Sequence, residues 1–253
     1  MKITILQTDT DWASPKANAL KANELICSAP GSDLYVLPEM WSSGFMDNPE
    51  QCTGHDWEDD VRWMQETACR TKAAICGSLV KKVHGGTGGY ANRMYFVRPD
   101  SSMETYDKRH LFAWGGENRF FVPGNSRKVV LWKGWRFLLL VCYDLRFPIW
   151  SRFNDDYDAI ILSANWPETR IGAWDILTRA RAIENQCYMV ACNRTGKDPN
   201  ADYNGHSAII GPLGEIMQKA ASGQCAITSD ISMEALRNIR MKTNFLNDRD
   251  NKQ

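Results

Sequence analysis

The chain has 253 residues, with 30 Lys and Arg against 30 Asp and Glu and a formal net charge of zero, so no basic field favours nucleic acid or an anionic membrane surface. No apolar run reaches the roughly 20 residues of a membrane helix, and the N-terminus MKITILQTDTDW lacks the basic and apolar regions of a signal peptide. These readings exclude nucleic-acid and membrane partners and lead us to expect a cytoplasmic, single-domain protein over 1–253 with a small-molecule partner.

KITILQTD opens as a strand, and Ser14-Pro15 supplies an N-cap and a first-turn proline for the helix PKANALKANELICSA. DLYVLPEMW follows as an apolar strand ending at Glu39. Asp56 can cap a helix through WEDDVRWMQETACRTKA, after which AAICGSLVKK, YANRMYFVRP and SMETYDKRH alternate as strands, the last ending near Lys108. RKVVLW and WRFLLLVC form a hairpin around Lys133-Gly134, and YDAIILSANW repeats the buried-strand pattern. A helix through WDILTRARAIENQ leads to the strand CYMVACNR. Ser207 to Ile231 adds a hairpin through GPLGE and one more β-like segment. Helices and strands alternate in both halves, so α/β layers around a mixed sheet are expected. The polar tail MKTNFLNDRDNKQ, from about 241, is read as a loose C-terminal arm.

Gly86 to Ala91, GTGGYA, fits the letters of a dinucleotide fingerprint, but that motif must open a helix and YANRMYFVRP alternates as a strand, so a loop is expected there. Eight cysteines (Cys27, Cys52, Cys69, Cys76, Cys142, Cys187, Cys192 and Cys225) show no framework spacing and are read as free thiols, most of them small buried hydrophobes. His55, His84, His110 and His206 lie far apart and no C-x-x-C occurs, so neither a metal nor a cofactor is expected.

Strands of α/β sheets deliver functional residues at their carboxyl ends. Glu39, Lys108 and Cys142 each end an expected strand, DLYVLPE, SMETYDK and WRFLLLVC. Singly, a cysteine after an apolar run is packing and a charged residue at a strand end is solvated. Together they are a chemical set: a free thiol is only about 3% thiolate at pH 7 and needs a base or cation to react, Glu39 can take the proton, and Lys108 can hold negative charge. No histidine accompanies Cys142 in sequence, which disfavours a Cys/His pair.

LPEMWSSGF, YDKRHLF, GGENRFFVPG and LLLVCYDLRFP, in that order, resemble the catalytic blocks of the nitrilase superfamily of carbon–nitrogen hydrolases. SANWPETR, RARAIENQCYMVACNR and GHSAIIGPLGEI extend the similarity over nearly the whole chain. The resemblance implies a four-layer α-β-β-α sandwich and pairing into a homodimer or higher homo-oligomer. It further implies Cys142 as nucleophile, Glu39 as general base, Lys108 as the group stabilising the tetrahedral intermediate, and Glu117 as a second glutamate that positions substrate and lysine. The backbone N–H of Tyr143 would complete the oxyanion site.

EMWSSGF, the spacing from HLF to ENRF, CYDLRFPIW, SANWP and RARAIENQ are most similar to the omega-amidase branch. Its members hydrolyse the terminal amide of 2-oxo dicarboxylate monoamides such as 2-oxoglutaramate and 2-oxosuccinamate, through a thioester and without a cofactor. An anionic substrate needs a cation, which Arg146 or Arg170 can supply as a planar fork, or Arg146 can instead brace its own loop through a salt bridge. Phe45, Trp114, Phe120 and Trp166 are candidates for the pocket wall, or for core and oligomer contacts. Alternatives are a carbamoyl-amine or carbamoyl-amino-acid hydrolase with the same three groups, a nitrile hydrolase, or a non-catalytic interaction protein on the same fold.

Overall fold

The computed structural model describes residues 1–52, 55–83 and 89–250. β1 (Lys2–Gln7), α1 (Pro15–Ser28), β2 (Leu34–Val36), α2 (Trp57–Thr71), β3 (Ala74–Lys82), β4 (Tyr90–Val97) and β5 (Met103–Asp107) form the first half. In the second half come β6 (Val129–Trp132), β7 (Trp135–Val141), α3 (Pro148–Ser151), β8 (Ala159–Ala164), α4 (Ile171–Glu184) and β9 (Tyr188–Asn193). The small ribbon β10 (Thr195–Lys197) and β11 (Asp202–Asn204) follows, then β12 (Ala208–Ile210), β13 (Ile216–Lys219), β14 (Cys225–Asp230) and α5 (Met233–Thr243).

Instead of one mixed sheet there are two six-stranded ones, ordered β14-β1-β2-β3-β4-β5 and β13-β12-β9-β8-β7-β6. β14 leaves the second sheet's hairpin and pairs antiparallel with β1, so the chain's last strand returns to its first. Side-chain alternation, with period two along a strand, explains the layering. Ile3, Ile5, Leu34, Val36, Met94 and Phe96 join the core between the sheets. Leu6, Tyr35, Ile75, Tyr95 and Val97, at alternate positions, pack instead with Leu25 and Ile26 of α1 and Val61 and Met64 of α2. In the second sheet β7, β8 and β9 run parallel and are buried on both faces, which is why they read as continuous apolar runs. With α4 packed on β9 and β12, the architecture is the four-layer α-β-β-α sandwich. Each leucine fully buried in β7 contributes roughly 1.5–3 kcal/mol of transfer free energy.

Several expectations are corrected. Ser14 does not cap α1: its hydroxyl donates to the Trp12 carbonyl at 3.1 Å, and only the proline at the first turn acts as expected. Asp56 does cap α2, accepting from the Glu58 N–H. β2 ends at Val36, leaving Glu39 on the loop beyond it. Four cysteines are buried, but Cys27 and Cys69 are exposed and Cys52 and Cys225 half-buried. The tail from 241 is docked: α5 runs to Thr243, Leu246 is buried, and the Arg249 guanidinium lies over the Phe153 ring. His84 and the start of GTGGYA lie outside the described residues, and Tyr90 already belongs to β4.

Candidate active site

β7 stops because its chain turns. Val141 is the last extended residue; Cys142 adopts φ +44°, a left-handed conformation costly for a residue with a Cβ, and starts a short 3-10 turn, Cys142–Arg146. The turn is held from below by Arg181 of α4, whose buried guanidinium donates to the Leu145 carbonyl at 3.0 and 2.8 Å. This places the Cys142 thiol, buried against the core yet on the wall of a cavity, at the carboxyl edge of the parallel strands.

Lys108 follows the last residue of β5, and Glu39 lies three residues beyond β2. Glu117 opens a second 3-10 turn after Gly116, whose φ of +82° folds the chain back at little cost to a residue without a Cβ. The three side chains meet fully buried: Lys108 Nζ donates to Glu39 Oε1 at 2.7 Å and to Glu117 Oε2 at 2.9 Å. Burial alone would depress the Lys108 pKa, but the charges of Glu117 and Glu39 outweigh it and hold the ammonium above the ordinary lysine range. For Glu117, burial is the largest influence and raises its pKa; Lys108 opposes this and the Glu39 charge adds to it. Burial, reinforced by Glu39, pushes the Cys142 thiol well above its usual value, so the free enzyme holds it protonated at neutral pH.

Two asparagines complete the cluster. Asn92 donates to Glu39 Oε1 at 2.7 Å and Glu117 Oε1 at 3.0 Å, its own oxygen fixed by Ser78. The Asn165 N–H donates to Glu39 Oε2 at 2.9 Å, and its side-chain amide to the Glu39 carbonyl at 2.8 Å. Sequence reading missed both. Asn92 did carry a signal: in β4 it shares the inward face with Met94 and Phe96, and a polar residue there demands partners.

A model of the carbon–nitrogen hydrolase family matches residues 2–241. The chain belongs to that family. This hydrolase of non-peptide carbon–nitrogen bonds groups with the omega-amidase branch of the nitrilase superfamily. It is 41% identical over 252 residues to the omega-amidase YafV of Yersinia enterocolitica, covering 99% of this chain and 97% of the relative. It is 32% identical to a 2-oxoglutaramate amidase of Bacillus subtilis, with 94% and 93% covered. A carbon–nitrogen hydrolase superfamily protein of Xanthomonas campestris, solved with an arsenic adduct in its active site, superposes with a TM-score of 0.93 at 37% identity, covering 100% and 98% of the two chains.

The hydrolase's cavity encloses about 550 Å³, with Lys108, Cys142, Tyr143 and Asn165 among the residues that line it. Phe45, Trp166, Arg146 and Arg170 also line it, while Trp114 is 82% exposed and sits at the rim. Phe120 does not reach the cavity. It lies in a separate depression with Tyr90 and Val122. Arg146 lies over the Trp166 ring at 5.0 Å, and Arg170 between Phe112 and Trp114 at 5.1 and 5.3 Å. Among the described residues neither guanidinium forms an ion pair, so the salt bridge expected as an alternative for Arg146 is not made. Also missed from sequence was the β10–β11 ribbon, which brings Asn200, Asp202 and Tyr203 to the cavity wall. Among the described residues no group of three or more His, Cys, Asp and Glu is arranged to hold a metal ion.

Trp166 is 3% exposed and packs against Trp174 of α4, so truncating it to alanine would perturb folding as well as binding. Trp166→Phe separates the two: it keeps the packing but deletes the indole N–H that donates to the Arg170 carbonyl at 2.8 Å. We expect stability within about 1.5 kcal/mol of wild type and a higher KM; unchanged steady-state kinetics would remove this residue from the pocket.

Proposed function

We propose that the chain is a cysteine-dependent omega-amidase that hydrolyses the terminal amide of 2-oxoglutaramate, 2-oxosuccinamate and similar 2-oxo dicarboxylate monoamides to the acid and ammonia. The observation that carries this reading is the buried Glu39–Lys108–Glu117 cluster beneath the Cys142 turn, opening into a cavity whose wall holds three guanidinium groups, Arg119, Arg146 and Arg170, that form no ion pair among the described residues. The relatives named above support the substrate class.

Because its thiol is protonated at rest, Cys142 needs a base at the moment of attack. Glu39 Oε1 is occupied by Lys108 and Asn92, while Oε2 accepts one backbone N–H and retains acceptor capacity for the thiol proton. As Sγ bonds to the amide carbon, Glu39 takes that proton. The carbonyl oxygen becomes an oxyanion facing Lys108 and the backbone N–H of Tyr143, which belongs to the first turn of a helix and lacks an intrahelical acceptor. An ammonium has three N–H groups; the two carboxylates engage part of that set, and the remaining positive field faces the cavity. Collapse breaks the C–N bond, the leaving nitrogen takes the proton from Glu39, and ammonia departs, leaving a thioester. Water then attacks with Glu39 again as base, and the acid and free thiol are released. Lys108, held charged by two carboxylates, acts as a fixed electrostatic donor. Glu117 fixes the lysine and orients the amide.

Arg146 and Arg170 would hold the substrate's carboxylate, each kept in place by the aromatic face beneath it. We extend the proposal to a single hydrolase domain, a cytoplasmic location, and a homodimer or higher homo-oligomer. Exposed Ile149, Ile176 and Ile183 on α3 and α4 supply an apolar face for association.

The test is ammonia release from 2-oxoglutaramate, 2-oxosuccinamate, glutamine, a carbamoyl amine and a simple nitrile. We expect fast turnover confined to the 2-oxo acid amides, and a KM raised about tenfold or more in Arg146→Ala or Arg170→Ala, as loss of a charge-assisted contact of about 1.5–3 kcal/mol requires. Carbon dioxide released with ammonia from the carbamoyl amine would replace this reading with the carbamoyl hydrolase. Turnover confined to the nitrile would replace it with a nitrilase.

A further inference from the structure

Two residues beyond Cys142, and two beyond Lys108, lie side chains that the chemistry above does not use: Asp144 and His110. Asp144 is fully buried. Its Oδ1 accepts from the His110 backbone N–H at 2.9 Å and contacts His110 Nδ1 at 2.8 Å. Its Oδ2 accepts from the Tyr106 hydroxyl at 2.7 Å and from the Val141 N–H at 3.0 Å. One carboxylate therefore ties the residue immediately before the nucleophile to the residues on both sides of the lysine.

The donors are nearly all obligate. Val141 and His110 each present a backbone N–H. The Tyr106 oxygen already accepts from the Arg109 N–H at 3.2 Å and the Trp150 indole at 2.9 Å, which uses both its lone pairs, so its hydrogen must go to Asp144. Only His110 can change role, through its tautomer. Its ring is stacked on Phe147 at 3.8 Å and meets Trp150 edge-on, so it does not swing away. A carboxylate is the one side chain of this size that can accept on both oxygens from such a set.

We propose that Asp144 is a positioning residue for the hydrolase reaction: it sets the distance and orientation between the left-handed Cys142 turn and the strand end that carries Lys108. The proposal rests on Cys142 and Lys108 carrying the chemistry assigned above. The two halves arrive from different sheets and share no ladder, β5 at the edge of the first sheet and β7 inside the second. Asp144 spans them within the space between its own turn and the His110 segment. A nucleophile and an oxyanion-stabilising group that drift apart by about 1 Å lose on the order of a hundredfold in rate.

Asp144→Asn keeps the size and most of the packing but puts an NH2 group opposite an obligate donor whichever way the amide is turned. The variant is compared with wild type by kcat and KM on 2-oxoglutaramate, by the rate of Cys142 alkylation with iodoacetamide mapped on the Cys142 peptide, and by thermal unfolding. The map is needed because Cys27 and Cys69 are exposed. We expect kcat per alkylatable Cys142 to fall about 100-fold while KM stays within about threefold, with slower alkylation of Cys142 than in wild type. A purely structural role would lower the melting temperature and the fraction of active molecules without changing kcat per site. A folded Asp144→Asn enzyme with kcat per site and alkylation rate both within about threefold of wild type overturns the proposal. Should that variant fail to fold, Tyr106→Phe, which deletes one donor to Oδ2, decides in the same two ways with an expected loss of about tenfold. Slowed alkylation in the variants beside a wild type inert to every amide would sink the substrate reading and leave the positioning role standing.

Discussion

Cys142→Ala is expected to abolish ammonia release, by about 10,000-fold or more, while circular dichroism and the melting temperature stay close to wild type. The loss follows from covalent catalysis. Without the sulfur there is no thioester, and the remaining groups can only polarise an amide whose direct hydrolysis by water is slow. The fold is spared for local reasons. Alanine retains the Cβ at the left-handed position, so the backbone cost at φ +44° is unchanged, and the Asp144 and Arg181 contacts that hold the turn are untouched. The variant also removes a buried thiol from beside the Glu39 carboxylate. Turnover above about 1% of wild type in a homogeneous preparation would sink Cys142 as the nucleophile.

Lys108→Met is the second large effect, and it strikes stability as well as rate. Methionine fills much of the lysine volume but leaves Glu39 and Glu117 facing each other in a fully buried site. Breaking a buried ion pair by removing one partner costs about 3–5 kcal/mol, because the remaining charges stay desolvated. We expect the melting temperature to fall markedly and kcat to drop below detection. The pH dependence has a definite sign. With the ammonium gone, nothing opposes the burial and the Glu39 charge that already raise the Glu117 carboxyl, so its pKa stands further above that of the unfolded chain. The folded variant then binds more protons than the unfolded one, and its stability, present below the unfolded carboxylate range, is lost as pH rises through the raised value. Lys108→Met should therefore melt higher at pH 5 than at pH 8. Glu117→Gln added to it should recover part of the lost stability at pH 8 without restoring activity. A single variant as stable as wild type at pH 8 would mean the cluster is not the charged unit described here.

Much of the site was readable along the chain because its functional residues sit where apolar runs stop. LLLVC and METYDK mark strand ends: the first closes a strand that runs parallel to β8 and the second an antiparallel edge strand, and both deliver their candidate side chains to one crevice. Phe120 shows where local reading fails. It stands three residues from Glu117 yet lines a different depression, and no composition or spacing records which hollow a loop residue faces. The run of elements pointed to layers around one mixed sheet, and the paired sheets were implied only by the family resemblance, since the return of β14 to β1 joins segments more than two hundred residues apart. The docking of the tail left no periodic signal, because its anchors, Leu246 and Arg249, are isolated residues in an otherwise polar stretch, Arg249 reaching both Asp155 and the Phe153 ring.

By itself the sequence determined the order of strands and helices, the burial of β7 to β9, and Glu39, Lys108 and Cys142 as a candidate chemical set, all from local periodicity and side-chain chemistry that the chain carries whatever its fold; Glu117 was implied only by the family resemblance. Only the tertiary structure decided that Asn92 and Asn165 hold Glu39, that Asp144 links the Cys142 turn to the segment carrying Lys108, and that Arg146 and Arg170 on the cavity wall form no ion pair among the described residues. Asn165 and Glu39 are 126 positions apart. Their contact exists because two separate sheets stack with their strand ends aligned, and a register between sheets is set by packing across the core rather than by any pattern along the chain.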